Sequence, residues 1–162
     1  MTDLPGTGPS IQDRFLADAP CFGCGPANTR GLRLKSFEAE DDTVRASFLP
    51  WPEHDNGLGH LNGGIIATVL DCHSAAAVII ASLGRGLVPD GSLAYVTAGI
   101  DVRFRRPSPL HEPVELLARP ASVTDDEIVV DAELWWQDKL RAGARSSWKR
   151  WRPRPGPTST GH

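Results

Sequence analysis

The sequence predicts an α+β fold in which one long central helix is wrapped by a curved antiparallel sheet of five to six strands. Three observations carry this. The stretch from about Asn62 to Leu83 is apolar nearly all round (Ile65, Ile66, Val69, Leu70, Val78, Ile79 and Ile80, with Ala75, Ala76 and Ala77 between), so a helix there must be enclosed. Period-two alternation of apolar and polar residues dominates the rest of the chain, the mark of half-buried strands. Short acidic turns separate neighbouring runs, and connections that short join antiparallel partners.

In chain order, residues 1–9 lack periodicity and are expected as a flexible tail. Ser10 to Ala17 reads as a short amphipathic helix capped by Ser10, with Ile11, Phe15 and Leu16 on one side. Leu32 and Leu34 alternate with Arg33 and Lys35 in a first strand, and Val44, Ala46 and Phe48 mark a second. The helix follows; 22 residues span roughly 30 Å. Four strands come after it. Val96, Ala98, Ile100, Val102 and Phe104 share a face of a long strand, and Val114, Leu116 and Ala118 a face of the next. Ile128, Val130, Ala132, Leu134 and Trp136 form the third, and a less regular fourth runs from about Arg141 to Trp151. Glu40-Asp41-Asp42, Asp125-Asp126 and Gln137-Asp138-Lys139 supply turns. The Pro-rich residues 152–162 form a second flexible tail, leaving residues 10–151 as one domain, since 162 residues hold one sizeable core and not two.

A formal net charge of −3 gives no electrostatic reason to expect nucleic acid or an anionic membrane as partner. Met1 to Ser10 has no apolar core of a signal peptide, and Ile65 to Ile80 is short of a span of roughly 20 residues and carries Asp71 and His73. The expectation is a cytoplasmic protein. Three cysteines make no disulfide framework. Cys21-Phe22-Gly23-Cys24 has the spacing of a zinc knuckle or a redox pair. With no second pair and no nearby His-x₃₋₅-His, a structural turn is the expected reading and no metal is expected.

The chemistry concentrates where Glu53-His54-Asp55-Asn56-Gly57-Leu58-Gly59-His60-Leu61-Asn62-Gly63-Gly64 runs into the helix. A glycine-rich loop opening a helix offers unpaired N–H groups at the positive end of the helix dipole. It suits an anion or a carbonyl oxygen that gains charge, or simply a helix capped by Asn62. Two turns further on, Asp71 is costly to bury without a partner or a task. Burial raises a carboxyl pKa and makes a better base near neutrality; the alternative is a structural hydrogen bond to a strand. His54 and His60 lie on the loop, and Cys72 reads as a small core residue. Arg103, Arg105, Arg106 and the later Arg141, Arg145, Lys149, Arg150 and Arg152 suit either an anionic small molecule or solvated strand faces.

The run from Asn56 through Gly63-Gly64 to Asp71, with Phe104-Arg105-Arg106-Pro107 at a strand end, resembles the PaaI-like branch of the hotdog thioesterase superfamily across roughly residues 21–150. The resemblance implies hydrolysis of an acyl-CoA thioester, with no cofactor. It makes Asp71 the catalytic carboxylate, Gly63 the backbone N–H that polarises the thioester carbonyl, Asn56 a loop residue that helps hold the thioester, and Thr97 the counterpart of a water-orienting serine. His60, Asn62 and Gly64 fall beside the substrate, and Arg103 and Arg105 are candidates for the CoA phosphates. Many relatives have His-Gly-Gly where this chain has Asn62-Gly63-Gly64, which removes a titratable group.

Geometry adds a homodimer, with a pair of dimers left open. Gly63 and Asp71 are eight residues apart on one helix, roughly 12 Å along its axis, too far to serve one thioester. Antiparallel helices of a twofold pair would bring Gly63 of one chain beside Asp71 of the other. Two rivals stand: hydration or dehydration of an acyl-CoA using His60 or His73, and acyl-CoA binding without turnover. Trp51, Trp135, Trp136, Trp148 and Trp151 are candidates to close the acyl pocket.

Overall fold

The computed structural model describes residues 8–154 and 156. The elements are α1 (Ile11–Phe15), β1 (Phe37–Glu38), β2 (Val44–Phe48), a 3₁₀ turn (Pro52–His54), α2 (Gly63–Gly84), β3 (Tyr95–Phe104), β4 (Val114–Val123), β5 (Glu127–Trp136) and β6 (Lys139–Arg150). All six strands form one antiparallel sheet in the order β1-β2-β4-β5-β6-β3. α2 packs against β2 to β6, giving the long helix wrapped by a sheet that the sequence predicts. The hairpin turns follow local chemistry: Asp41, Asp42, Gln137 and Asp138 take positive φ of 55°, 59°, 50° and 57°, the paired left-handed residues whose twist suits adjoining strands. The expected tails lie largely outside the described residues.

α2 starts where Asn62 caps it, its Oδ1 accepting from the Gly64 and Ile65 amides at 2.7 and 3.3 Å. Its 22 residues give it the length and apolarity of a membrane span, more than the Ile65–Ile80 run implies. The sheet covers it instead: Cys72 through Ile79 are all buried. Close packing is helped by small residues in both layers: Ala75, Ala76 and Ala77 are buried on the helix, and the sheet carries its own. Ala118, Ala132 and Ala144 pair in register across β4, β5 and β6 and are buried.

Two expectations change. Leu32 and Leu34 are buried but not in a strand. Arg33 takes φ 54°, and the Leu32 and Leu34 amides bond to Phe22 and Gly23 carbonyls at 2.7 and 3.0 Å, so the segment pairs with the Cys21–Cys24 turn and the first strand shrinks to Phe37–Glu38. The second change is in β3. Its register against β6 slips between Thr97 and Gly99, with Thr97 opposite Trp148 but Ile100 opposite Ser146. An extra residue at Ala98 flips the alternation. Thr97 therefore shares the helix-facing side with Ile100, Val102 and Phe104, while Val96 and Ala98 do not.

His73 anchors the N-terminal segment to the middle of α2. Its ring is fully buried. Nε2 lies 3.0 Å from the Val44 carbonyl, which only accepts, so Nε2 carries the proton. Nδ1 then accepts from the Ser36 hydroxyl at 2.9 Å. Gln12 closes the chain, donating to Ser36 Oγ at 3.2 Å and accepting from the Ser36 amide at 2.7 Å. Burial pushes the His73 pKa down to about 4. The unfolded chain therefore binds a proton near pH 6.5 that the native protein refuses until about 4. Stability is expected to fall on acidification through that window, by about 1.4 kcal/mol per pH unit from this group at most. Urea unfolding at pH 7 and 4.5 measures the drop, and His73→Gln should flatten it.

Candidate functional site

The bulge in β3 builds the first half of the site. It turns Thr97 toward α2, where its hydroxyl donates to Asp71 Oδ1 at 2.8 Å. Asp71 is half-buried on a helix whose next eight residues are all buried. Burial raises its carboxyl above the usual range, the Thr97 hydrogen bond pulls it partly back, and the nearby Cys21 sulfur pushes it up again. The Cys24 and Cys72 thiols, with the Cys24 and Gly23 amides, favour a thiolate at Cys21. A partly desolvated carboxylate with one oxygen held and the other free is suited to take a proton from water or attack an electrophile.

The second half is the start of α2. The Asn62 side chain occupies the Gly64 and Ile65 amides, and its carbonyl accepts from Ile66 at 3.1 Å. Gly63 N–H is the first-turn amide left without an acceptor among the described residues. A side chain at Gly63 would press on the Phe104 ring, 3.3 Å from the added Cβ. The preceding loop is tied by two side chains: Asp55 Oδ1 accepts from the Gly57 and Gly59 amides, and Asn56 Oδ1 from the Leu58 and His60 amides, at 2.7–3.2 Å. Gly57 and Gly59 sit at φ 86° and 80°, which a side chain would strain. The Asn56 oxygen is thus committed to the loop, and its NH₂ group remains to donate.

Within one chain the two halves stay apart. β3 runs along α2 so that Thr97 meets Asp71 and Phe104 meets Gly63, and eight helical residues, roughly 12 Å, lie between. The strip of α2 through Gly64, Ala67, Thr68 and Asp71 is uncovered or half-covered. Beside it β3 is the edge of the sheet, with Ile100 and Phe104 37% and 56% exposed. A groove of about 460 Å³ runs near the loop, lined by His60, Ser108, Leu110, His111, Trp136 and Arg141. Asp71, Thr97 and Gly63 line neither this groove nor the one formed by β4, β5 and β6.

The other candidates separate. Asn62 and Gly64 serve the helix cap, and His60 is exposed on the loop. Arg103 pairs with Asp101 at 3.0 Å and stands opposite Gly143, on the side of β3 away from the helix. Arg105 is exposed, with its amide on the Arg141 carbonyl. His54 is buried, accepts from the Trp51 amide at 3.0 Å and stacks on the Trp51 ring. His73 is sealed in the core with both nitrogens engaged, so it cannot serve the hydratase chemistry for which it was a candidate. Among the tryptophans, Trp136 lines the groove beneath the Arg141 guanidinium and Trp148 is in the core. Sequence reading did not bring Cys72 to Cys21 and Cys24; the three sulfurs lie within 4.8 Å of one another. No local pattern signals this contact, because the Cys21–Cys24 turn lies 51 residues earlier in the chain.

The profile of the thioesterase superfamily matches residues 58–142, more than half of the chain. Among solved structures, a thioesterase superfamily protein superposes with a TM-score of 0.64 at 24% identity, over 80% of this chain and 60% of its own, so the chain spans less than two thirds of that relative. The Escherichia coli PaaI protein of the phenylacetic acid degradation operon gives 0.62 at 19% identity, over 75% of this chain and 81% of its own. A Streptococcus mutans protein solved with acetyl-CoA gives 0.61 at 18% identity, over 75% and 91%. Among proteins of curated function none matches. With its sheet-wrapped helix and its matched segment running from the glycine loop through Asp71 and β3, the chain belongs to the thioesterase superfamily and has the PaaI-like hotdog fold.

Proposed function

We propose that the protein hydrolyses an acyl-CoA thioester at a site shared between two chains. The observation that carries this is a half-buried, Thr97-bonded Asp71 on the uncovered strip of α2, together with a Gly63 amide that has no acceptor among the described residues at the N-terminal end of the same helix. A twofold partner laying its own strip against this one, helices antiparallel, would set Gly63 of one chain beside Asp71 of the other. It would also cover the apolar side chains at the β3 edge, a surface that natural sheets rarely leave bare. Acetyl-CoA bound to the Streptococcus mutans relative supports a CoA thioester as the substrate class.

In this reading the carbonyl oxygen sits on the Gly63 N–H, where charge developing on it meets a fixed donor at the positive end of the helix. The free oxygen of Asp71 takes a proton from water as the water oxygen attacks the carbonyl carbon. The C–S bond then breaks, the acid is released, and the proton leaves with the CoA thiol. Direct attack by Asp71, giving an anhydride that water opens, uses the same geometry. Thr97 holds the carboxylate in line, and its oxygen remains able to accept from the water.

Thiol release across short, long and aromatic acyl-CoAs tests the reading. Asp71→Asn should cut turnover on the best substrate by about 10²–10⁴-fold, while its melting temperature holds or rises, because a desolvated charge is removed and the amide still accepts from Thr97. Absence of turnover from the folded wild type on every thioester would contradict it, and turnover on enoyl-CoA would favour the hydratase. The pH dependence gives a further check. The raised Asp71 pKa places the acid limb of kcat/KM above the ordinary aspartate value, with activity lost as pH falls. Thr97→Val removes the bond that favours the charged form, so that limb should move to higher pH.

A further inference from the structure

The three cysteines form a cluster that the hydrolytic reading does not use. Cys24 and Cys72 are buried and Cys21 is exposed, all three are free thiols, and their sulfurs lie within 4.8 Å of one another. Cys21 and Cys72, 51 residues apart in sequence, approach to 3.7 Å. Two thiolates on one tetrahedral zinc at about 2.3 Å each stand about 3.8 Å apart. The turn is shaped around the third sulfur: a side chain on Gly23 would overlap Cys72 Sγ, so the residue inside the Cys-x-x-Cys turn has to be glycine. Gly25 is as tightly held, its amide donating to the Cys21 carbonyl at 2.9 Å and its Cα facing the Ala19 and Cys21 backbone. The amides of Leu32 and Leu34 then fix the turn from outside through Phe22 and Gly23. A loop pinned from both sides, with its two thiols aimed at a helix thiol, has the ligand type and approach of a soft-metal centre.

We propose that Cys21, Cys24 and Cys72 are the ligands of a zinc site, with water in the fourth position on the solvent side of Cys21. No fourth His, Cys or carboxylate among the described residues lies within 4.8 Å of all three sulfurs, so the site is open rather than closed. Binding releases the thiol protons and leaves a three-thiolate Zn²⁺ unit bridging the N-terminal turn to the helix residue beside Asp71. The metal would brace the wall of α2 that holds the carboxylate, in a protein whose N-terminal segment has no long strand to tie it down.

The test uses the full chain, reduced and stripped with a chelator, and needs no substrate, so it stands apart from the acyl-thioester reading. Titration with Co²⁺ should give one equivalent per chain, with thiolate-to-cobalt charge transfer in the near ultraviolet and intense tetrahedral bands in the visible, both bleached by Zn²⁺. Native mass spectrometry should show one zinc per chain, and zinc should raise the wild-type melting temperature. Cys21→Ser, at an exposed position, should keep the fold and weaken binding by more than the roughly 100-fold that loss of a mere supporting contact costs. A wild type without these bands, or affinity unchanged in Cys21→Ser, would overturn the proposal. So would a reduced protein that binds no zinc and on air oxidation joins Cys21 to Cys72, which would make the cluster a thiol–disulfide pair.

Discussion

The structure depends on the burial of one long apolar helix, and on that burial being incomplete along a single strip. Burial of the α2 side chains supplies the main drive to fold, at roughly 25 cal/mol for each Å² of apolar surface removed from water. Close packing is helped by buried alanines in both layers, Ala75 to Ala77 on the helix and Ala118, Ala132 and Ala144 in register across three strands. A sheet of six strands with a short first strand reaches only part of the way round. The strip it leaves open, from Gly64 to Asp71, contains the single carboxylate of the helix, half-buried rather than enclosed. The same shortfall in coverage thus allows a carboxylate on a core helix and exposes a surface suited to a second chain.

Two polar groups on α2 illustrate how neighbouring positions are used differently. Asp71 and His73 are two residues apart. His73 is fully enclosed and satisfied by Ser36 and the Val44 carbonyl, a structural clamp that draws α1 and the first strands onto the helix. Asp71 has one modest partner and a raised pKa, at a cost in stability that a structural residue would avoid. Unfavourable placement of a charge is a feature of working sites. The contrast also weighs against hydratase chemistry, because the one histidine near the carboxylate in sequence is unreachable.

Much of this was legible beforehand for physical reasons. The helix was visible because a stretch from Ile65 to Ile80 with apolar residues on every side has nowhere to go but inside. The hairpins were visible because short polar turn sequences separate the alternating runs, and two of these, Asp41-Asp42 and Gln137-Asp138, take the left-handed region. The unforeseen features depend on non-local contacts. Leu32 and Leu34 look like a strand, yet their amides find partners in the Cys21–Cys24 turn and Arg33 leaves the extended region. Strict alternation assigns Thr97 to the outer face of β3. A bulge at Ala98, set by the register with β6, turns it inward. Cys72 read as a small core residue because nothing in the sequence shows that a turn 51 residues earlier lies upon it.

The central claim is that a working site takes its amide from one chain and its carboxylate from another. Gly63→Pro removes the N–H at a first helical position where proline is well tolerated, its ring asking the Phe104 side chain to give slightly, and Asp71→Asn removes only the charge. Each variant alone should be inactive. Mixed and allowed to exchange subunits at equal concentration, half of the dimers become heterodimers with one intact site of two, so about one quarter of wild-type turnover should return. Recovery at that level requires two chains per site. No recovery, in a mixture shown to contain heterodimers, would contradict the shared site.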